Sequence, residues 1–211
     1  MKQKRWISLL TAGVLAIGLA LTGCAPAQQP GSQPESSSQV EESSQEPETK
    51  VPALYIGTVD AEGNGSFQEY PFVGSGKVTP EALIAAMAEL TGWNLTLSAE
   101  DPVTTGKGGM TVSFAPGSAI FTGPPIEQKE EFHLYSADQL CYTVFDSVQK
   151  TLQENFSPEN PGALDIYYCT DGSGEIELGQ LGVVLPLDEP YSHALFEQLL
   201  MSAVIAEPDD S

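Results

Sequence analysis

The sequence predicts an α+β fold: a single domain with a mostly antiparallel sheet and helices packed on one face of it. Three observations lead there. Residues 51–211 run in the order strand, hairpin, helix, strand, strand, helix, strand, hairpin, helix, read from apolar periods of two and of 3.6. Clusters of Gly, Asp and Asn between the short runs mark hairpin turns. An apolar share of 41% with 8% aromatics supplies a core, and a stretch of about 150 residues buries roughly 70% of its extended surface without needing staples.

Val51 to Val59 is the first strand, and Asp60-Ala-Glu-Gly-Asn-Gly65 turns it into a second at Phe67 to Val73. Thr79-Pro80-Glu81 opens a helix with a cap, a first-turn proline and an acid at the positive end of the dipole. Leu83, Ile84, Met87 and Leu90 form its apolar face and Gly92 ends it. Trp93 to Leu97 and Met110 to Phe114 read as strands, with a loop around Gly106 to Gly109 between them. The next helix is the plainest. Ser136-Ala-Asp-Gln139 is a capping box, Tyr135 and Leu140 are spaced for a hydrophobic staple, and Leu140, Val144, Val148 and Leu152 recur at i+4. Cys141 and Phe145 widen the buried stripe. Ala163 to Thr170 is a strand, with Tyr167 and Tyr168 facing opposite sides, and Asp171-Gly-Ser-Gly174 turns Glu175 to Leu178 back against it. Ser192 to Val204 closes the chain as a helix with Leu195, Leu199 and Ala203 on one side and Phe196, Leu200 and Val204 beside them.

Residues 1–50 follow a different logic. Lys2 to Arg5 form a charged start and Ile7 to Leu21 an apolar run too short and Gly-interrupted to span a bilayer comfortably. Residues 1–23 therefore read as a lipoprotein signal peptide. Its end, Leu21-Thr22-Gly23-Cys24, resembles the lipobox of bacterial lipoproteins, in which the cysteine thiol accepts a diacylglycerol before cleavage. Residues 24–50 are the lipidated cysteine and a flexible linker. Ala25 to Lys50 is built from Pro, Gln, Ser and Glu and has too little apolar area to order itself, so it spans about 25 to 30 Å as a tether. Two or three acyl chains on Cys24 hold a protein firmly at a bilayer. The expected place is the extracytoplasmic face of the cell membrane.

Charge excludes one class of partner. The chain carries 29 acidic against 8 basic residues, a net charge of -21, and all but five of the acids lie in residues 51–211. Phosphate binding needs Lys and Arg to displace counterions, so nucleic acid is not an expected partner.

The candidate chemistry is sparse. Gly74-Ser75-Gly76-Lys77 fails as a phosphate loop, because Pro71 stands where the first Gly belongs and Val78 where the magnesium-holding hydroxyl belongs. Gly172-Ser173-Gly174 lacks the spacing of a nucleophile elbow and reads as a turn. His133 and His193 are the only imidazoles and neither has metal-ligand spacing. His133 is expected in a strand facing solvent or a hydroxyl, and His193 in the first turn of the last helix. A Cys–His nucleophile would need Cys141 or Cys169 to meet a distant histidine. An oxidising compartment permits a Cys141–Cys169 disulfide, yet both lie on apolar faces, which favours buried free thiols. Asp60-x-Glu62-x-Asn64 and Asp171-x-Ser173-x-Glu175 are fragments of calcium loops that lack the twelfth-position Glu. The expectation is no metal, no cofactor and no catalytic residue.

Several runs taken together resemble the GerMN domain. They are Val78 to Gly92, the helix carrying Ser147-Val148 and Thr151-Leu152, Leu164-Asp165-Ile166-Tyr167, the Asp171-Gly172 turn, and Leu185-Pro186-Leu187-Asp188-Glu189-Pro190-Tyr191. GerMN domains occur in sporulation and germination lipoproteins and related envelope proteins, and the likeness covers most of Val51 to Tyr191. The resemblance implies an extracytoplasmic α+β domain, similar to the ring-building folds of envelope assemblies, that works by contact and not by catalysis. This chain departs from the spore protein in carrying one such domain where two in tandem would be expected, with an extra C-terminal helix. Beyond the bilayer reached through acylated Cys24, the implied partner is an envelope protein or a second copy. The competing expectation is a binding lipoprotein that presents a cationic peptide or a cell-wall fragment.

Overall fold

The first helix shows local sequence supplying both of its ends. The computed structural model describes residues 51–206, apart from 60–64, 75 and 107. The signal-peptide, Cys24 and linker readings, and the Asp60-Glu62-Asn64 turn, lie outside the described residues. Helix α1, Pro80–Thr91, starts where Thr79 Oγ1 accepts the Ala82 N–H at 3.2 Å and ends at Gly92, whose φ of 78° allows its N–H to reach Ala88 O. Helix α2 is the single turn Ala119–Thr122. Helix α3, Ala137–Phe156, buries Leu140, Cys141, Val144, Phe145, Val148 and Leu152 as its period requires. Helix α4 spans His193–Ala206. Among the described residues, no helix is long and apolar enough to cross a membrane.

The strands form three small sheets. Strands β1, Ala53–Val59, and β2, Gly65–Pro71, make an antiparallel hairpin in the register Leu54↔Tyr70 and Ile56↔Gln68. Strands β3, Val103–Gly106, β4, Gly109–Phe114, and β5, Asp165–Thr170, make a second sheet in that order. Strands β6, Ile176–Leu178, and β7, Val183–Leu185, pair antiparallel in a third. The architecture is α+β with antiparallel pairs in the majority. The core gathers Phe114, Phe145, Tyr168, Tyr191 and Phe196, whose rings meet at centroid distances of 4.7 to 6.4 Å. Each fully buried side chain of this size adds about 1.5–3 kcal/mol relative to exposure.

Five sequence expectations need correction. Trp93 to Leu97 is not a strand: only Leu97 makes a bridge, to Phe114. The Asn94 carbonyl instead accepts from Ala119 N at 2.7 Å, its side chain donates to Gly117 O, and Thr96 Oγ1 bonds Asn94 Oδ1. Local side-chain bonds compete with the ladder here. Conversely, part of the expected loop is strand β3, joined to β4 by residues 107 and 108, with Gly108 at φ 81°. The one mostly antiparallel sheet that was expected is three small sheets, and in the second of them β4 pairs with β5 in parallel, because the chain between them travels through α2 and α3 and returns in the same direction. Glu175 to Leu178 does not pair back on β5 beyond a single Thr170↔Gly174 bridge; β6 joins β7, and Tyr191 N donates to the β5 carbonyl of Ile166 at 2.7 Å. Finally, Ser136 is the N-cap of α3 but its hydroxyl makes no cap bond, and Gln139 Oε1 accepts the Tyr135 N–H at 3.3 Å. Tyr135 is 82% exposed, so the staple with Leu140 does not form. Leu134 packs on the core in its place.

Helix α3 also seals the free edge of β1. The N–H groups of Ala53, Tyr55 and Gly57 donate to Asn155 Oδ1, Thr151 Oγ1 and Ser147 Oγ at 3.1, 2.9 and 2.9 Å. Those acceptors recur every four residues on one helix face, so a row of side chains stands where a neighbouring strand would be.

Candidate functional site

The flank of α3 beside its buried stripe is the floor of a groove. Gln139, Tyr142, Thr143, Asp146 and Gln149 follow one another at helical spacing and line an opening of about 860 Å³. One wall is the far end of the hairpin, Gly57, Thr58, Gly65, Ser66 and Phe67. Trp93 and residues 131–135, which include the 3₁₀ turn Glu130–Phe132, line it as well. His193 and Glu197, from the first turns of α4, complete it.

The most ordered part centres on Asp146. Its Oδ2 lies 2.7 Å from His193 Nδ1, and its Oδ1 accepts the Tyr191 hydroxyl at 2.7 Å. Gln149 Nε2 donates to Tyr191 O at 2.8 Å and so ties the segment before α4 to the groove floor. The His193 ring stacks on Tyr142 at 4.8 Å, and Tyr142 meets Phe196 edge-on at 4.9 Å. Burial, then the Asp146 charge, pushes the Tyr191 hydroxyl well above its ordinary range, so it stays protonated and donates. Burial and the carboxylates of Glu197, Asp138 and Asp146 also raise Tyr142.

The lining is acidic and aromatic. Glu131, Asp146 and Glu197 contribute carboxylates, Phe67, Trp93, Phe132, Tyr135 and Tyr142 contribute rings, and no lining residue is Lys or Arg. Such a surface matches a cationic group through its charge.

The structure brings together both histidines, sixty residues apart in sequence, on this groove. His133 is exposed, follows the 3₁₀ turn and is not in a strand; its ring meets Tyr135 at 4.6 Å. His193 opens α4 as expected. Cys141 and Cys169 are buried free thiols. Cys141 Sγ lies 3.6 Å from Ile120 O, and burial pushes its thiol up to about 12, the opposite of an activated nucleophile. Gly172 N donates to Ser113 Oγ at 2.7 Å, and Ser173 N to Thr170 O, so that run is a turn braced on β4. Among the described residues no group of three or more His, Cys, Asp or Glu side chains stands in metal-binding geometry. The Asp146–His193 pair was the residue set that sequence reasoning missed. Its one local signal is the polar and aromatic row at 139, 142, 146 and 149 running beside the apolar stripe.

No protein-family model, curated protein or solved structure matches this chain.

Proposed function

We propose that this chain is a membrane-anchored extracytoplasmic lipoprotein whose GerMN-like domain acts by protein–protein contact in a cell-envelope or sporulation and germination assembly. The anchor rests on the residue pattern ending at Cys24, and the family likeness on the sequence runs given above. The observation that carries contact is the groove: an open surface of about 860 Å³ lined by carboxylates and rings, without Lys or Arg among its lining residues. The exposed Phe67 and Tyr135 rings and the half-buried Tyr142 give it the aromatic character common at protein contacts.

The same lining favours a second reading, a binding lipoprotein that presents a cationic peptide or wall fragment. An enzymatic reading has the Asp146–His193 pair to build on, but among the described residues no hydroxyl or thiol is hydrogen-bonded to His193, so the nucleophile of an acyl-transfer site is not assembled.

The test uses the full chain in cells, with a photo-cross-linking residue in place of Tyr135 at the groove and, as control, in place of Ala85 on the exposed side of α1. A discrete protein adduct from position 135 alone is expected, and a fatty-acid analogue should label the native chain but not Cys24→Ser. Equal adducts from both positions, or equal lipid labelling, overturn the reading.

A further inference from the structure

The hairpin has one sealed edge and one open edge. In β1 the N–H groups of residues 53, 55 and 57 point to α3, so residues 54, 56 and 58 exchange their bonds with β2. The register then turns Tyr70, Gln68 and Ser66 toward β1, as the Phe72 N to Pro52 O bond continues to do. The backbone groups of Phe67 and Glu69 therefore point away from the hairpin. Among the described residues nothing donates to or accepts from them, and every β2 side chain but Tyr70 is exposed. An edge of this kind is a template for another strand.

Charge says which strand fits. Glu69 shares a face of β2 with Phe67. On the other face the Tyr70 ring meets Phe132 at 5.6 Å, and Glu131 precedes Phe132 at the groove. An incoming strand's basic side chains meet Glu69 on one face, and the Glu131 charge that acts on Tyr70 lies near the same strand. The chain's own Ala25–Lys50 segment, with five Glu against one Lys, is repelled, and a second copy brings a net charge of -21 to the same edge.

We propose that β2 receives an extended, Lys- or Arg-bearing segment of another protein as an added strand, bonded to the backbone of Phe67 and Glu69. This rests on the contact reading above and names the partner's conformation and charge. Strand addition supplies affinity through the main chain and selectivity through alternate side chains, so the partner needs a basic strand and not a particular fold.

The probe is an octapeptide alternating Lys and Val, titrated into the full chain in detergent micelles, with a Glu and Val octapeptide as control. Amide exchange should slow at Phe67 and Glu69 on addition of the Lys peptide, while Gln68 and Tyr70, already bonded to β1, stay protected throughout. Phe67→Pro removes one outward N–H and should bind about tenfold more weakly than Phe67→Ala, which keeps it. Continued protection at Gln68 and Tyr70 shows that the hairpin survives in either variant. Binding of both octapeptides alike, equal binding by the two variants, or binding without slower exchange at Phe67 and Glu69 overturns strand addition while leaving the groove adduct from position 135 intact. Loss of that adduct overturns the contact reading itself.

Discussion

Thr151 shows how a single hydroxyl can hold an edge strand. It is fully buried, accepts the Tyr55 N–H at 2.9 Å and lies 3.4 Å from Tyr55 O. Thr151→Val keeps shape but leaves a buried N–H without an acceptor, at a cost of ~1–3 kcal/mol. Urea unfolding should place this variant well below the native midpoint, and below Ser147→Ala, whose orphaned Gly57 N–H is only part-buried. An unshifted midpoint for Thr151→Val would mean the row of side chains on α3 does not hold β1. Asp146 works on the same scale, since one carboxylate fixes both the His193 ring and the Tyr191 hydroxyl. Neither role was legible in sequence. The partners are 96 residues apart in the first case and 47 and 45 in the second, and no local period records them.

Elements whose signals are local came out as the sequence implied. Helix α1 carries its own cap, and both α1 and α3 carry their stripes: Leu83, Ile84 and Met87 are buried in α1, with Leu90 only half-buried, and Leu140, Cys141, Val144, Phe145, Val148 and Leu152 are buried in α3. Strands fared less well because a strand is defined by its partner. Gly109 illustrates the constraint that the parallel β4–β5 pairing imposes. It stands opposite Asp165 in the register, and a Cβ there would run into the Asp165 carbonyl oxygen. Gly109→Ala should therefore cost ~1–3 kcal/mol by forcing the two strands apart. Gly76→Ala, with open space around its Cβ, should change stability by less than about 0.5 kcal/mol. Thermal midpoints of the two variants compare them directly, and equal midpoints would argue against the close approach of β4 to β5.

Across the whole molecule, buried acids that must stay protonated set an alkaline limit. Cys141 is raised from 9.0 to about 12, and Tyr168 and Tyr191 are raised above 10.0, in each case first by burial. The folded state thus holds these protons more tightly than the unfolded chain does. Their stabilisation is complete below the unfolded-state values and is lost as pH rises through the window between unfolded and folded values. Thermal midpoints should hold steady from neutral pH to near 9 and then fall, with Cys141→Ala showing a shallower decline between 9 and 10. A midpoint that climbs in that window would contradict the burial of these groups. The net charge of -21 acts at the same scale: it leaves the fold to the core and selects among partners by repulsion.

By itself the sequence determined the α+β class, the places of the long helices and most of their buried stripes, because periods are written within a few residues of one another. It also set the expectation of an anchored, acidic, contact-making protein through a signal-like start, a linker without apolar mass and a GerMN-like order of elements. The tertiary structure alone decided that β4 and β5 run parallel, that α3 side chains seal β1 while β2 stays open, and that Asp146 and both histidines share one groove, with the buried Tyr191 bonded to Asp146. Those outcomes depend on which surfaces meet after the chain has turned back on itself. Backbone donors must find acceptors wherever packing allows them, and the choice among distant candidates is made by the whole fold and not by any segment.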